Sequence, residues 1–269
     1  FANTLKKESD MFSEWPEADE YKYTNLPTIA IGTTTVSIHL PEKYFLPLKT
    51  EVCQKYAIDL EEIRIPVSMD SENDRVVVTE YLNSTEEQVL SGVQNYLLNI
   101  LRYWGGECSQ ISYIDPIRCS DAALGALEPL CGESDSIVKP VPWSADEIRK
   151  RLDEIIIGIN TDTKSEKSCR KKQVLVFHNF PQSYDSKMVS QIQQLVVNAG
   201  YYNLYIWVTH NSSSKNTVQS EAFEYIKTLA TTIKCTDSGQ FVLNRGTDLN
   251  QPFQWYISPN TLPVAATLY

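Results

Sequence analysis

The chain carries three histidines, His39, His178 and His210. Each falls at or just past the end of a β-rich run: Thr34–Leu40, Gln173–Phe177 and Leu204–Thr209. An imidazole takes a metal through a ring nitrogen or moves a proton near neutral pH. Three of them converging at neighbouring strand ends would suit Zn²⁺ or a general base. Glu42, Asn179 and Asp185 lie near enough in sequence to orient or support them, and Asn211 directly follows His210. The competing reading is that strand ends commonly hold a half-buried ring bonded to nearby backbone. The preferred expectation is therefore a binding surface built from His39, Glu42, His178, Asn179, His210 and Asn211, with no catalytic residue, metal or cofactor. Zinc held by His39, His178 and His210, in a zinc-binding protein or hydrolase, is the alternative.

Six cysteines, Cys53, Cys108, Cys119, Cys131, Cys169 and Cys235, form no C-x-x-C pair, which removes the common zinc-finger and thioredoxin signatures. Their even number, with three in one long loop, predicts disulfides of unassigned connectivity and an extracellular or luminal setting. Six free thiols in a cytoplasmic protein are the alternative. Sequons at Asn83 and Asn211 are candidate glycosylation sites, although two are expected by chance. A Cys169–His178 nucleophilic pair is disfavoured, because nine residues of extended chain hold them apart.

Other chemistry is excluded more firmly. There is no G-x-x-x-x-G-K-[ST], G-x-G-x-x-G, G-x-S-x-G or H-E-x-x-H in the chain, so phosphate cradles, hydrolase elbows and zincin helices lack support. Lys and Arg total 24 against 34 Asp and Glu, a formal charge of −10. That balance disfavours a nucleic-acid surface, whose affinity comes from basic side chains releasing counterions. No apolar run approaches the roughly 18 residues of a spanning helix. A protein partner fits best.

The elements that must position these residues alternate. Strands are expected at 34–40, 62–69, 75–81, 173–177, 204–209, 239–243 and 253–257, and helices at 44–56, 84–104, 144–157, 188–198 and 222–231. Glu86 and Glu87 in a first turn, with an apolar stripe from Val89 to Ile100, mark the clearest helix. Residues 107–143 read as a long cysteine-rich loop. The alternation predicts an α/β class: a Rossmann-like, mostly parallel sheet with one antiparallel edge strand and helices on both faces. Residues 1–26 are expected to be a flexible acidic arm and 27–269 a single domain. Because it begins at Phe1 rather than Met, the chain is expected to be a processed product or cut at a boundary.

The stretch RVVVTEYLNSTEEQVLSGVQNYLLNILRYWGG at 75–106, with QVLVF and LYIWVTH later, resembles the von Willebrand factor A-type (integrin I-like) domain. The resemblance implies an adhesion-type, non-enzymatic protein-binding domain. That family's metal site needs D-x-S-x-S after its first strand, which is absent, and His178-Asn179-Phe180 stands where T-D-G is expected. The implied member has lost its metal. Residues 36–101 also resemble a degenerate KH module without its G-x-x-G loop, which would make the chain RNA-binding; an intracellular scaffold is a further alternative.

Overall fold

The computed structural model describes residues 28–36, 63–104, 108–132, 136–162, 171–213, 220–246 and 250–257. The expected arm at 1–26, helix 44–56, His39, Glu42, Cys53 and Cys169 lie outside the described residues.

Among the described residues nine strands form one mixed sheet in the order β2-β1-β9-β8-β7-β3-β6-β5-β4. They are β1 (Thr28–Val36), β2 (Ile63–Asp70), β3 (Val76–Tyr81), β4 (Cys108–Ile114), β5 (Lys172–Phe177), β6 (Leu204–Asn211), β7 (Thr231–Cys235), β8 (Phe241–Asn244) and β9 (Gln251–Trp255). The class is α/β as expected, but the sheet is not mostly parallel. The β7-β3-β6-β5-β4 half is parallel, and the remaining strands pair antiparallel. The expected single antiparallel edge strand is corrected to an antiparallel extension of four.

The parallel block forms one half of the sheet, and its inner strands are apolar on both faces. Val76, Val77 and Val78 are all buried, as is the run Val174–Phe177. Helix α1 (Glu86–Trp104) covers one face. Helices α2 (Ala145–Asp162), α3 (Ser186–Val197) and α5 (Ser220–Thr228) lie side by side on the other, with the single turn α4 (Ala199–Tyr202) after α3. The faces stay separate by strand alternation: Val77 and Tyr81 face α1, whereas Val76 and Val78 face α2, α3 and α5.

Three elements were hidden in the sequence. The expected loop at 107–143 contains edge strand β4 and a 3₁₀ segment, Asp121–Leu130. The outer side of β4 is partly covered by residues 137–139, through Ile111 N–H to Ile137 O at 2.7 Å and Lys139 N–H to Ile111 O at 3.0 Å. Strand β7 falls between the expected helix 222–231, which it overlaps only at Thr231, and the expected strand 239–243. Cys108, Cys119, Cys131 and Cys235 are free thiols, so no disulfide staples this region among the described residues. Residues 76–101 form a strand and helix inside the continuous sheet, with β3 paired to β6 and β7, which removes the KH-like module.

Candidate functional site at the carboxyl ends of the parallel strands

The chain leaves β3 through α1 to the far edge at β4, returns through β5 and β6, and then crosses β3 to reach β7. The reversal falls between β3 and β6. In open α/β sheets, ligands meet the crevice outside the strand carboxyl ends at such a point. Tyr81, Ile114, Phe177 and the 209–211 end of β6 all terminate there.

His178 lies at this end, fully buried. Its ring stacks near Tyr81, with centroids 5.9 Å apart, and near Tyr113 at 6.3 Å. Its backbone N–H donates to Ile114 O at 2.9 Å. Thr209 Oγ1 accepts the Asn179 N–H at 3.1 Å and lies 2.7 Å from His178 Nδ1. The Glu86 carboxylate beside Nε2 can only accept, so the hydrogen of the neutral ring falls on Nε2 and the Thr209 hydroxyl gives its own proton to Nδ1. Nε2 faces Glu86 Oε1 at 3.5 Å, and Arg118 Nη2 donates to the same oxygen at 3.0 Å. Burial holds the His178 pKa below the usual imidazole value, although Asp115 and Glu86 push it the other way. The ring is therefore neutral at pH 7.

Asn179 adopts left-handed φ of 55°, a region asparagine tolerates, and its Oδ1 accepts the Tyr81 hydroxyl. Asp115, 0% exposed, caps the turn after β4. Its Oδ1 accepts the Ile117 and Arg118 N–H groups, each at 3.0 Å, so one carboxylate fixes the backbone that presents Arg118. Among the described residues, Asp115 Oδ2 and the Tyr113 hydroxyl have no hydrogen-bond partner. Burial pushes the Tyr81 and Tyr113 hydroxyls upward in pKa, so both stay protonated.

The expected histidine cluster does not assemble. His210 stacks on Phe223 at 4.0 Å, and its Nδ1 lies 2.9 Å from Phe180 O. Phe223 belongs to the face opposite Tyr81 and Tyr113, so the His178 and His210 rings lie on opposite sides of the sheet. Among the described residues no three His, Cys, Asp or Glu are placed to hold a metal ion; His39, the third residue of the zinc expectation, lies outside them. Asp185 is no orienter of this site. It caps α3 by accepting the Met188 N–H at 2.8 Å and pairs with Arg149 Nε at 2.8 Å. Asn211 bonds Asn83 Oδ1 at 2.6 Å, tying the two candidate glycosylation asparagines to each other.

Sequence reasoning missed Tyr81, Glu86, Tyr113, Asp115, Arg118 and Thr209. Glu86 was read as a helix first-turn acid only, and the residues after β4 were hidden inside an apparent loop.

A central parallel strand leading through a turn into a long helix at the switch point is the place where α/β nucleotide-binding domains hold phosphate. Solved structures of ATPase domains share this fold. Thermomonospora curvata EccC (ATPases 2 and 3), in complex with a signal sequence peptide, aligns at a TM-score of 0.61 and 13% identity, covering 91% of this chain and 42% of that one. The cytoplasmic domain of EssC aligns at 0.58 and 12% identity, covering 90% and 46%. The cytoplasmic domain of the Thermomonospora curvata type VII secretion ATPase EccC aligns at 0.56 and 12%, covering 72% and 25%. This chain thus spans from a quarter to just under half of these structures, and at such identities the likeness is one of fold. No protein-family model and no curated protein matches the sequence.

These neighbours overturn the resemblance to A-type domains. With it go the non-enzymatic adhesion reading, its secreted glycoprotein setting, and the alternatives weighed beside it. Strand-helix alternation is common to both folds, and the sequence pattern could not separate them.

The residues present do not fit a nucleotide phosphate. A P-loop needs G-x-x-x-x-G-K-[ST], its backbone N–H groups turned to the phosphates and its lysine beside them. The matching positions here run Thr79 to Glu86, with Ser84, Thr85 and Glu86 where Gly, Lys and Ser or Thr would stand. Three N–H groups of the turn are already engaged: Leu82 with Thr85 Oγ1 at 3.1 Å, Asn83 with Ser213 Oγ at 3.2 Å, and Thr85 with Leu82 O at 2.8 Å. Glu86 adds a like charge where the anion would lie.

Proposed function

We propose that this chain is an ATPase-type domain of a polypeptide-handling machine of the secretion class and that it contributes through contact with protein. The carrying observation is the fold, in which a 19-residue helix follows the interior strand β3 of the parallel β7-β3-β6-β5-β4 block and which aligns overall with secretion ATPases, one of them bound to a signal sequence peptide. ATP hydrolysis belongs in this reading to the machine as a whole, and no step is assigned to the degenerate turn after β3. The surface supports a protein partner. Ile157, Val197, Tyr201 and Tyr225 are exposed on the helices of one face and Leu229 in the turn just after α5, and aromatic and aliphatic side chains on firm elements suit protein contact. The net charge of −10 argues against nucleic acid as the cargo.

Fluorescence anisotropy of a labelled signal-sequence peptide with the purified chain tests this. Saturable binding in the micromolar range, on the order of −8 kcal/mol, is expected. Combined Tyr225→Asp and Leu229→Asp should weaken it at least about tenfold while leaving the far-ultraviolet circular dichroism unchanged. Absence of binding at about 100 μM chain, well above that range, would refute the reading.

A further inference from the structure

The mismatch between fold and site is not empty space; the chain's own side chains occupy it. Glu86 is the first residue of α1, at the positive end of a 19-residue helix. Its carboxylate takes Arg118 Nη2 at 3.0 Å and faces His178 Nε2 at 3.5 Å. A cation, an N–H donor and a helix N-terminus thus converge on one carboxylate, an arrangement ordinarily met by an external anion. Arg118 is not there by accident of a floppy side chain. Buried Asp115 fixes its backbone N–H, and the Tyr113 and Asp115 positions follow from β4 register with β5. His178 is held in turn by Thr209 and by the two flanking tyrosine rings. Glu86 and Arg118 keep 28% and 35% of their side-chain surface exposed, so the ion pair meets solvent and is open to a competing anion.

We infer that Glu86 is a built-in occupant of an anion site at the carboxyl ends of β3, β4 and β5, an autoinhibitory contact that keeps a phosphoanhydride such as ATP or pyrophosphate from Arg118 and His178. This rests on the ATPase-type reading of the fold. Neutralising Glu86 removes a competing charge and releases the Arg118 fork, while the positions that hold His178 and Arg118 stay in place.

Isothermal titration of the full chain with ATP and, separately, with pyrophosphate provides the test. The unmodified chain should show no saturable heat below about 1 mM, where binding corresponds to roughly −4 kcal/mol. Glu86→Gln should bind both anions at least about tenfold more tightly, about 1.4 kcal/mol, and Arg118→Ala on that background should abolish the gain. Glu86→Asp, which keeps the helix-end charge but withdraws the carboxylate by one methylene, should give a smaller gain and guards against a Glu86→Gln chain that fails to fold. Equal affinity of the unmodified chain and Glu86→Gln would overturn the inference. So would folded Glu86→Gln and Glu86→Asp chains with no gain. Peptide binding measured on the same samples separates failure here from failure of the parent reading: loss of the anion effect with peptide binding intact defeats only the occupant.

Discussion

His178 is a fully buried imidazole whose two nitrogens have different work, Nδ1 toward Thr209 and Nε2 toward Glu86. Burial depresses its pKa below the usual 6.5. In the unfolded chain the ring binds a proton at a higher pH than in the folded one. Its stabilising contribution is therefore complete above about pH 6.5 and is lost as pH falls from there toward the depressed folded value. Urea unfolding between pH 7.5 and 5 should show stability falling with acidification, by at most about 1.4 kcal/mol per pH unit from this group. His178→Gln should flatten that part of the profile. Parallel profiles for the two chains would show that the ring titrates alike in both states. The cysteines give a second residue-scale expectation. Cys108, buried and pushed up to about 12, and Cys131, pushed up to about 11, are protonated and slow to react when folded. In denaturant without reductant, Cys108, Cys119, Cys131 and Cys235 should all react with a thiol reagent, read residue by residue from labelled peptides. Protection of any of the four until reductant is added would contradict the free thiols.

At the scale of elements, α1 depends on one close approach. A Cβ on Gly92 would lie 2.4 Å from the Trp255 indole. That indole packs among Trp207, Phe241 and Phe253, with centroids 4.9 to 6.0 Å away, so it has little room to retreat. Helix propensity alone favours Gly→Ala by about 1 kcal/mol, whereas overpacking costs typically 1–3 kcal/mol. The clash should win. Gly92→Ala is expected to lower stability by about 1 kcal/mol in urea unfolding, and a stabilised variant would mean that β9 shifts freely. The small residue thus fixes where β9, and with it the antiparallel extension, meets α1.

Over the whole molecule, the parallel block and the antiparallel extension are joined by a buried charge. Asp74, in the turn between β2 and β3, has a side chain 1% exposed. It accepts Arg245 Nη2 at 3.0 Å, Thr231 Oγ1 at 2.5 Å and the Asp70 N–H at 2.8 Å. One carboxylate therefore links the β2–β3 turn, the start of β7 and the end of β8. Asp74→Ala strands the guanidinium and hydroxyl without their acceptor and should cost about 3–5 kcal/mol. The matching loss should appear in the denaturant midpoint, and a change below about 1 kcal/mol would show that water replaces the carboxylate.

What the sequence by itself determined was local. Continuous apolar runs placed β3, β5 and β6, because strands buried on both faces need no alternation. The acidic first turn and apolar stripe placed α1, and the missing G-x-x-x-x-G-K-[ST] left a phosphate cradle without support. β4 escaped because Cys108–Ile114 mixes polar and apolar residues at a sheet edge, where one side is only partly covered, and β7 because five residues beside a helix carry little periodicity. Only the tertiary structure decided the strand order, since pairing partners are far apart in the chain and several orders suit the same alternation. It likewise set which face each strand-end residue takes: one position of alternation separates Thr209, which serves His178, from His210, which stacks on Phe223 across the sheet. The meeting of Glu86, Arg118 and His178 follows from that order, because a site assembled from three strand ends exists only once the sheet has brought them together.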